Sequence, residues 1–454
     1  MIKIDHNLKP ADLKSGVDQL FKLSGEKILA IEKRWNPADG TPVFTAHGKY
    51  TSRGWTEWTQ GFQFGSAILQ FDVTGDEQFL KIGRDKTLTV MAPHLSHIGV
   101  HDHGFNNVST YGNLLRLLNE GRIANNEWEK NFYELALKCS GAVQASRWTQ
   151  LNVELGYVRS FNGPHSLFAD TIRSMRSLAV AYQLGHVLMG EKDEKISLLK
   201  RLLQHAETTA RYNVYFGTGR DFYDVRGRAA HESIFNLTDG SYRCPSSQQG
   251  YAPFSTWTRG LAWIVLGFAE ELEFLAQLPE KEFSAIGTDK KAILARFEET
   301  ARATADFYLE YTPTCGVPYW DTGAPELHKL GDYLNRPAEP FNDHEPVDSS
   351  AAAITAQGLL RLGKYLGAKG QNYFQAGLTV AKTLFSETYL SLDSNHEGLI
   401  LHSVYHRPNG WDVIPQGKKV PCNESSMWGD YHARELALVV KRLANNEPYY
   451  KFFL

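Results

Sequence analysis

The segment STWTRGLAWIVLGFAEEL, residues 255–272, shows the pattern that decides the fold prediction. It opens with hydroxyl residues and Trp257, and it continues with many small and apolar residues. Hydroxyl side chains at a helix start can cap exposed backbone N–H groups. Small residues let neighbouring helices approach closely. The segment therefore predicts a helix packed among other helices on the inside of the molecule.

Five further segments share this composition and open with an aromatic, acidic or hydroxyl residue or with His-Gly. Together with residues 255–272 they are interpreted as inner helices. The other five are WTQGFQFGSAILQF (58–71), HGFNNVSTYGNLLRLL (103–118), DTIRSMRSLAVAYQL (170–184), DSSAAAITAQGLLRLGKYL (348–366) and ESSMWGDYHARELALVVKRL (424–443).

A second kind of segment alternates with the first. Its apolar residues recur at i, i+3, i+4 and i+7, and its opposite face is charged, as in an amphipathic helix with one face in water. Six segments fit this description: residues 17–35, 79–95, 128–144, 196–212, 292–311 and 373–390.

The alternation of the two kinds predicts six helical hairpins closed into a ring. The fold prediction is therefore all-α, an (α/α)6 barrel that forms a single domain over residues 1–454. The inner segments start at irregular intervals of roughly 40 to 90 residues, which excludes a simple tandem array. Strand signals are weak, although GLILHSVYHRP from Gly398 could pair locally. The long non-helical stretches 214–254 and 313–347 are expected to form loops over one mouth of the barrel.

Composition excludes several classes of function. With 42% hydrophobic and 22% charged residues the chain is an ordinary globular protein. A net charge of −3 provides no broad positive field, so no nucleic-acid partner is expected. The chain has no signal-peptide pattern and no apolar run of membrane-spanning length, which predicts a cytoplasmic location without membrane contact. The scattered cysteines suit reduced thiols better than a disulfide framework or a zinc site.

The starts of the inner helices are expected to face the barrel mouth. An aspartic acid among aromatic rings there would lose hydration, so its pKa would rise and it could serve as a general acid. The alternative for each aspartate is a helix cap or a partner for a buried arginine. The residues concerned are Trp58, Asp102, Asp170, Trp257, Arg259, Ser349 and Trp428.

The stretch HDHGF, residues 101–105, places Asp102 between His101 and His103. Histidines two residues apart do not share a helix face, and neither an HExxH nor a CxxC motif accompanies them. No metal site is therefore predicted, and hydrogen-bonded histidines are the favoured interpretation. Nucleotide fingerprints and the nucleophile elbow of serine hydrolases are also missing, so no cofactor is expected.

A resemblance to a known family extends over nearly the whole chain. The sequence resembles the unsaturated glucuronyl hydrolases of glycoside hydrolase family 88. The blocks that carry it are WTQGF with TGDEQFL, HDHGF, FADTIRSMRSLAVAY, HESIFN followed by QQGYAPFSTWTRGLAW, VPYWD, PVDSSAAAITAQGLLRL and ESSMWGDY.

The resemblance implies the same (α/α)6 barrel, reached here independently from the helix pattern. It also implies action on the Δ4,5-unsaturated uronic acid at the non-reducing end of oligosaccharides made by polysaccharide lyases. Asp170 would be the principal acid and base, with Asp102 as its partner. The implied substrate-binding residues are Trp58, His101, His231, Gln249, Trp257, Arg259 and Trp263.

Several of these assignments have alternatives. Arg259 could bind the substrate carboxylate with two parallel hydrogen bonds, or form a buried salt bridge at the helix start. Trp58, Trp257 and Trp263 could be core residues. His103 stands where the family has an aliphatic residue and could affect Asp102, while Pro253 and Phe254 replace an acidic pair and are expected to alter sugar preference. The segment DVIPQGKKVPCNESS lacks the paired serines of members that act on sulfated amino sugars, which disfavours 6-sulfated substrates.

Other functions remain open on sequence grounds. An unsaturated rhamnogalacturonyl hydrolase of family 105 would share the barrel and the chemistry. A sugar 2-epimerase would instead use a histidine pair as acid and base, and a catalytically silent relative would bind unsaturated oligosaccharides without consuming them. If the chain is an unsaturated glucuronyl hydrolase, its expected partner is an oligosaccharide that contains an unsaturated uronic acid. The barrel is expected to be a monomer or a homodimer.

Overall fold

Helices dominate the computed structural model, which describes residues 1–54 and 57–453. Within these residues there are sixteen α-helices, α1 to α16. In chain order they are Lys14–Arg34, Gln60–Thr74, Glu77–Val90, Ala92–Leu95, His103–Asn107, Asn113–Asn119, Glu127–Ser146, Thr171–Ser174, Arg176–Gln183, Leu198–Tyr212, Thr258–Gln277, Glu280–Ser284, Lys290–Glu310, Ser349–Leu366, Gln371–Leu384 and Met427–Ala444.

The inner segments form a closed ring. Helix α2 packs against α5 and α6, α5 packs against α8 and α9, and α8 packs against α11. Helix α11 then contacts α14, α14 contacts α16, and α16 returns to α2. Both faces of these helices are covered, which explains why their sequences have no broad charged face.

The outer helices cover this ring. Helix α3 packs on α2, α7 and α10 pack on α9, α13 packs on α11, and α15 packs on α14. Helix α1 contacts both α16 and α2, which closes the outer layer. All twelve predicted segments thus occupy the predicted layer, and the architecture is the predicted (α/α)6 barrel.

Two inner segments are less regular than their sequences suggested. A π-helical turn, Val108–Gly112, separates α5 from α6, and Met175 separates α8 from α9. In the first case the Thr110 hydroxyl donates to the Asn106 carbonyl at 2.8 Å and the Asn113 amide donates to the Ser109 carbonyl at 2.9 Å. Such side-chain bonds compete with the backbone ladder and bend a helix.

Short strands lie in the loops between hairpins. In chain order β1 to β9 are Phe44–Ala46, Lys49–Thr51, Trp148–Gln150, Gly156–Val158, Ser166–Phe168, Leu188–Met189, Lys195–Ile196, Glu232–Phe235 and Tyr242–Ser246. Strands β1 and β2 pair, as do β3 with β4 and β6 with β7, while β5, β8 and β9 form a three-stranded antiparallel sheet. Around Gly398 the predicted pairing amounts to one bridge, between Leu390 and Ile400.

The axis of the barrel is closed by a buried charge network. Arg173 of α8 donates to Glu270 of α11 at 3.1 Å and to Glu435 of α16 at 2.7 Å. Arg361 of α14 pairs with Glu273 at 2.8 Å. Charges in such a place must be paired, because isolated buried ions are very costly. None of the helices in the described residues is long and apolar enough to cross a membrane.

Candidate active site

The two candidate catalytic aspartates stand immediately before neighbouring inner helices. Asp102 precedes α5 and Asp170 precedes α8, and neither side chain caps its helix. Both carboxylates instead face His101, whose Nε2 lies 3.3 Å from Asp170 Oδ1 and 3.8 Å from Asp102 Oδ1. The capping alternative is therefore wrong for both residues. They form one carboxylate–imidazole–carboxylate cluster.

A close helix contact brings the two aspartates together. Gly104 lies against α8, where an added Cβ would fall 2.3 Å from the Ser174 carbonyl oxygen. The Gly104 N–H donates to Ser174 Oγ at 2.9 Å, and the Gly104 carbonyl accepts from Arg176 at 2.8 Å. Because Gly104 is two residues after Asp102, this contact fixes the start of α5 beside the start of α8.

The C-terminal end of α7 holds the His101–Asp102 segment from the other side. Gln144 donates from its amide to the His101 carbonyl at 2.8 Å, and its oxygen accepts from the His103 N–H at 3.1 Å. Arg147 donates to the carbonyls of Ile98 and Ser160, the latter at 2.8 Å. Asp102 is thus held between two hydrogen bonds to one buried amide.

The pKa values of Asp102, Asp170 and His101 are shifted in different ways by their surroundings. Burial raises the pKa of Asp102 above its ordinary value, and the nearby charge of Asp170 acts in the same direction. Burial also acts to raise the pKa of Asp170, but the contact with His101 outweighs it, so this pKa is lowered. For His101, burial is outweighed by both carboxylates, and its pKa is raised. The predicted rise in pKa is thus found for Asp102, while for Asp170 the prediction is wrong because His101 stabilises its carboxylate.

Aromatic rings surround this cluster in an unbroken series. His101 contacts Phe168 with ring centroids 5.5 Å apart, Phe168 contacts His231 at 4.6 Å, and His231 contacts Trp257 at 4.6 Å. Both ring nitrogens of the buried His231 lack a protein hydrogen-bond partner among residues 1–54 and 57–453, so they keep unused hydrogen-bonding capacity. These rings form a continuous aromatic series that begins at the His101–Asp170 contact, and we call this series together with Asp102 and Asp170 the cup.

The aromatic series continues from Trp257 to Arg259. The Arg259 guanidinium lies between two rings, 4.6 Å from the centroid of Trp257 and 4.8 Å from that of Trp428. Trp428 stacks on Trp58 at 5.2 Å with an interplanar angle of 27°. The structure therefore brings Trp58, Trp257 and Arg259 into one connected series of contacts.

Trp263 lies deeper in the barrel. Its ring contacts Phe105 at 5.0 Å and His432 at 5.0 Å, and it is as buried as Trp257, each residue being 3% exposed. This packing is that of a core residue, which was the alternative interpretation for this tryptophan. Its predicted contact with substrate stays a prediction.

Arg259 has protein partners for both terminal nitrogens. One pairs with Asp348 at 3.0 Å, and the other donates to Gln249 Oε1 at 3.2 Å and to the Tyr405 carbonyl at 2.7 Å. The geometry is thus that of the buried salt bridge considered as the alternative. Gln249 is brought to the site by this same guanidinium, and Asp348 was not recognised from the sequence as its partner.

His103 points away from Asp102. Its Nδ1 lies 3.0 Å from Ser140 Oγ, and its Nε2 lies 2.9 Å from the His97 carbonyl. Burial lowers the pKa of His103 to about 4, so the ring is neutral near neutral pH. The expected effect of His103 on Asp102 therefore has no contact to support it. In the described part of the chain, no cluster of three or more His, Cys, Asp or Glu side chains could hold a metal ion.

The sequence matches no protein-family model. Among curated proteins, the chain is 26% identical over 383 residues to the unsaturated glucuronyl hydrolase of Formosa agariphila, which covers 84% of this chain and 78% of that protein. It is also 26% identical over 417 residues to the unsaturated glucuronyl hydrolase of Bacillus sp. strain GL1, with 88% and 90% covered.

Solved structures agree with the fold. The unsaturated glucuronyl hydrolase of Bacillus sp. GL1 superposes with a TM-score of 0.70 at 23% identity, covering 94% of this chain and 97% of the other. A structure of a variant of such a hydrolase with dGlcA-Glc-Rha-Glc also gives 0.70, at 22% identity, with 95% and 97% covered. These likenesses confirm the six-hairpin barrel.

Proposed function

We propose that this chain, a relative of the unsaturated glucuronyl hydrolases in sequence and in fold, removes the Δ4,5-unsaturated uronic acid from the non-reducing end of lyase-generated oligosaccharides. The curated relatives confirm the resemblance drawn from the sequence blocks. The observation that carries the proposal is the contact of Asp170 and Asp102 with one imidazole inside an aromatic cup. Acid chemistry on a sugar ring needs such a placed proton donor.

The substrate determines what this donor must do. The C4=C5 bond of the unsaturated uronate is conjugated with the ring oxygen O5, so it is an enol ether that accepts a proton at carbon C4. Protonation leaves an oxocarbenium-like charge at C5. Asp170 is the proposed proton donor, and the carboxylate of Asp102 stabilises the developing charge.

His101 supplies the proton that Asp170 lacks in the free protein. The imidazolium lies 3.3 Å from Asp170 Oδ1, within reach of direct transfer. A uronate carboxylate placed next to Asp170 adds a like charge, and like charges raise the pKa of a neighbouring carboxyl group. Substrate binding thus favours movement of the proton from His101 Nε2 to Asp170.

The second half of the reaction returns the proton. The ionised Asp170 takes a proton from a water molecule as the water oxygen adds to C5. The product is a hemiketal, which opens and releases the neighbouring sugar together with a 4-deoxy-5-keto uronate. The glycosidic bond breaks indirectly, so the carboxylate spacing that separates retaining from inverting glycosidases does not apply.

Arg259 is proposed to contribute to binding of the uronate from its place against Trp257. Its terminal nitrogens are engaged with Asp348 and Gln249, so a substrate carboxylate would share these donors or displace Gln249. Trp58, Trp257 and His231 are proposed to line the sugar faces, and Trp263 to support them from below. A cytoplasmic location and a monomeric or dimeric state remain predictions.

The proposal is tested by the ultraviolet absorbance of the substrate alkene. Wild-type protein should abolish the absorbance of an unsaturated uronyl disaccharide, while Asp170→Asn should lose at least a thousandfold in kcat/KM because it has no acid to donate. Asp18→Asn, on the exposed side of α1, is the matched control and should keep full activity. Equal rates for wild type and Asp170→Asn would reject Asp170 as donor and would favour a reaction driven by histidines.

A further inference from the structure

An exposed pair of stacked rings lies on the loops beside the cup. Tyr223 and Phe254 stack with ring centroids 4.8 Å apart and an interplanar angle of 26°. They are 52% and 45% exposed, so their outer faces are open to solvent. Contiguous exposed apolar surface of this kind marks binding sites more often than scattered single residues do. We call Tyr223 and Phe254 the aromatic platform.

The aromatic platform is held in place without a ligand. The Tyr223 N–H donates to Asp221 Oδ1 at 2.7 Å, which fixes the turn that carries the ring. Arg228 ties the two loops together, because it donates to Asp221 Oδ2 at 3.2 Å and to the Pro253 carbonyl at 3.3 Å. Asp224 accepts hydrogen bonds from the backbone of the same loop, including the Arg220 N–H at 2.7 Å. A preorganised surface loses little entropy when it binds.

Both loop segments that carry the aromatic platform continue along the chain to residues of the proposed active site. Phe254 is three residues before Trp257, and Arg228 is three residues before His231. Three residues span at most about 11 Å, so the platform lies close to the His231–Trp257 pair. That distance is comparable with the length of a disaccharide. The aromatic platform is therefore a near neighbour of the His231–Trp257 pair.

The charges near the aromatic platform indicate the class of ligand. Asp221 and Asp224 belong to the same loop as Tyr223 and repel a sulfated or acidic group there. Arg220 of this loop donates to the carbonyls of residues 211, 212 and 214 and lies over the Tyr215 ring, so its guanidinium is engaged within the protein. Arg228 is already paired with Asp221, and Arg226 is paired with Glu299 and Asp306. Aromatic rings offer an apolar face that complements the C–H face of a neutral sugar.

We propose that the aromatic platform is a distal subsite for a neutral pyranose ring of the substrate, beyond the sugar directly linked to the unsaturated uronate. This proposal rests on the proposed function and extends it to longer oligosaccharides. It also assigns a role to Phe254, which departs from the acidic residues of the resembled family. A second copy of this chain seated on the platform is the rival occupant.

The test compares a short and a long substrate. Phe254→Ala and Tyr223→Ala should lower kcat/KM about tenfold for an unsaturated tetrasaccharide with neutral distal sugars, as expected for one lost ring contact. Both variants should leave kcat/KM for the unsaturated disaccharide unchanged. Phe254→Trp keeps a ring and should retain the wild-type preference, which separates stacking from folding. Trp128→Ala, which removes an exposed ring from α7, is the matched control.

The outcomes separate the two proposals. Equal loss on both substrates, or no loss on either, would overturn the distal subsite. In sedimentation, a dimeric wild type and a monomeric Phe254→Ala variant, with unchanged rates on both substrates, would show that the aromatic platform binds a second copy of the chain. That result would also overturn the distal subsite. If wild-type protein consumed neither substrate, the proposed function itself would fail.

Discussion

His101 is the residue that gives the two aspartates different properties. It lies closer to Asp170 than to Asp102, so it stabilises the ionised form of Asp170 more strongly, while Asp102 keeps a raised pKa. Groups that interact this strongly titrate as a unit. We expect a proton of His101 to move toward Asp170 when an anionic substrate arrives.

Gln144 is expected to control the geometry of this cluster. Gln144→Leu removes the hydrogen bonds to the His101 carbonyl and the His103 N–H, and leaves these buried backbone groups unpaired. Each unpaired buried group costs about 1–3 kcal/mol. We expect kcat to fall at least tenfold in a protein that still folds, with a smaller effect on KM.

The measurement is steady-state kinetics with a thermal unfolding curve for each protein. Gln19→Leu, at an exposed position of α1, is the matched control and should match the wild type in both assays. Full activity of Gln144→Leu would show that the His101–Asp102 segment does not depend on this amide.

At the scale of residues, the sequence indicated the candidate catalytic groups but not the residues that hold them in place. Asp102, Asp170 and the aromatic residues could be named as candidates because their motifs are distinctive, and their roles stay predictions. Gln144 and Arg147 could not, since Gln144 lies in an ordinary amphipathic helix, Arg147 directly follows that helix, and both act through backbone groups. The lowered pKa of Asp170 could not be predicted either, because it depends on the 3.3 Å contact with His101.

At the scale of elements, the contact between α5 and α8 positions the site. Gly104→Ala would place a methyl group 2.3 Å from the backbone oxygen of Ser174, a distance that atoms cannot adopt. One helix must shift, and such overpacking typically costs about 1–3 kcal/mol. We expect lower thermal stability and a larger loss of activity, because the shift separates Asp170 from His101 and Asp102.

Calorimetry and the alkene assay measure the two effects. Gly54→Ala is the control, since no atom of the described residues 1–54 and 57–453 lies within 4 Å of the added carbon. Unchanged activity in Gly104→Ala would mean that the site tolerates movement between the two helix starts.

The helices themselves were predictable because both layers repeat a clear pattern over many residues. The interruptions at the Val108–Gly112 turn and at Met175 were not, because they arise from local hydrogen bonds and packing. The strands were missed for a different reason. Runs of two to five residues are too short to show alternation, and pairs such as β5 with β8 join distant parts of the chain.

At the scale of the whole molecule, an unpaired acid is buried in the inner ring of helices. Glu271 of α11 is fully buried, and neither carboxylate oxygen has a hydrogen-bond partner in the part of the chain that the structure describes. Burial, reinforced by the charge of Glu270, raises the pKa of Glu271 well above its ordinary value. The folded protein therefore holds a proton here that the unfolded chain releases above about pH 4.3.

This difference has a predictable sign. Because the folded state binds more protons, stability falls as the pH rises from the unfolded pKa toward the folded one, by about 1.4 kcal/mol for each unit. A glutamine at this position is neutral in the folded and in the unfolded state, so Glu271→Gln removes this loss of stability at higher pH. We expect the variant to melt at a higher temperature than wild type at pH 7 and at a similar temperature at pH 4.

Thermal melts at both pH values measure the difference. Glu280→Gln, on the short helix α12, is the control and should change neither melt. A Glu271→Gln variant that is less stable than wild type at pH 7 would show that the carboxylate is ionised and paired.

The most direct test of the mechanism is the position of deuterium in the product. When wild-type protein acts on an unsaturated uronyl disaccharide in heavy water, nuclear magnetic resonance should find one deuterium at C4 of the released 4-deoxy-5-keto uronate, and Asp170→Asn should form almost none of it. Release of the neighbouring sugar with an intact C4=C5 bond, or without deuterium at C4, would contradict hydration by a proton from Asp170.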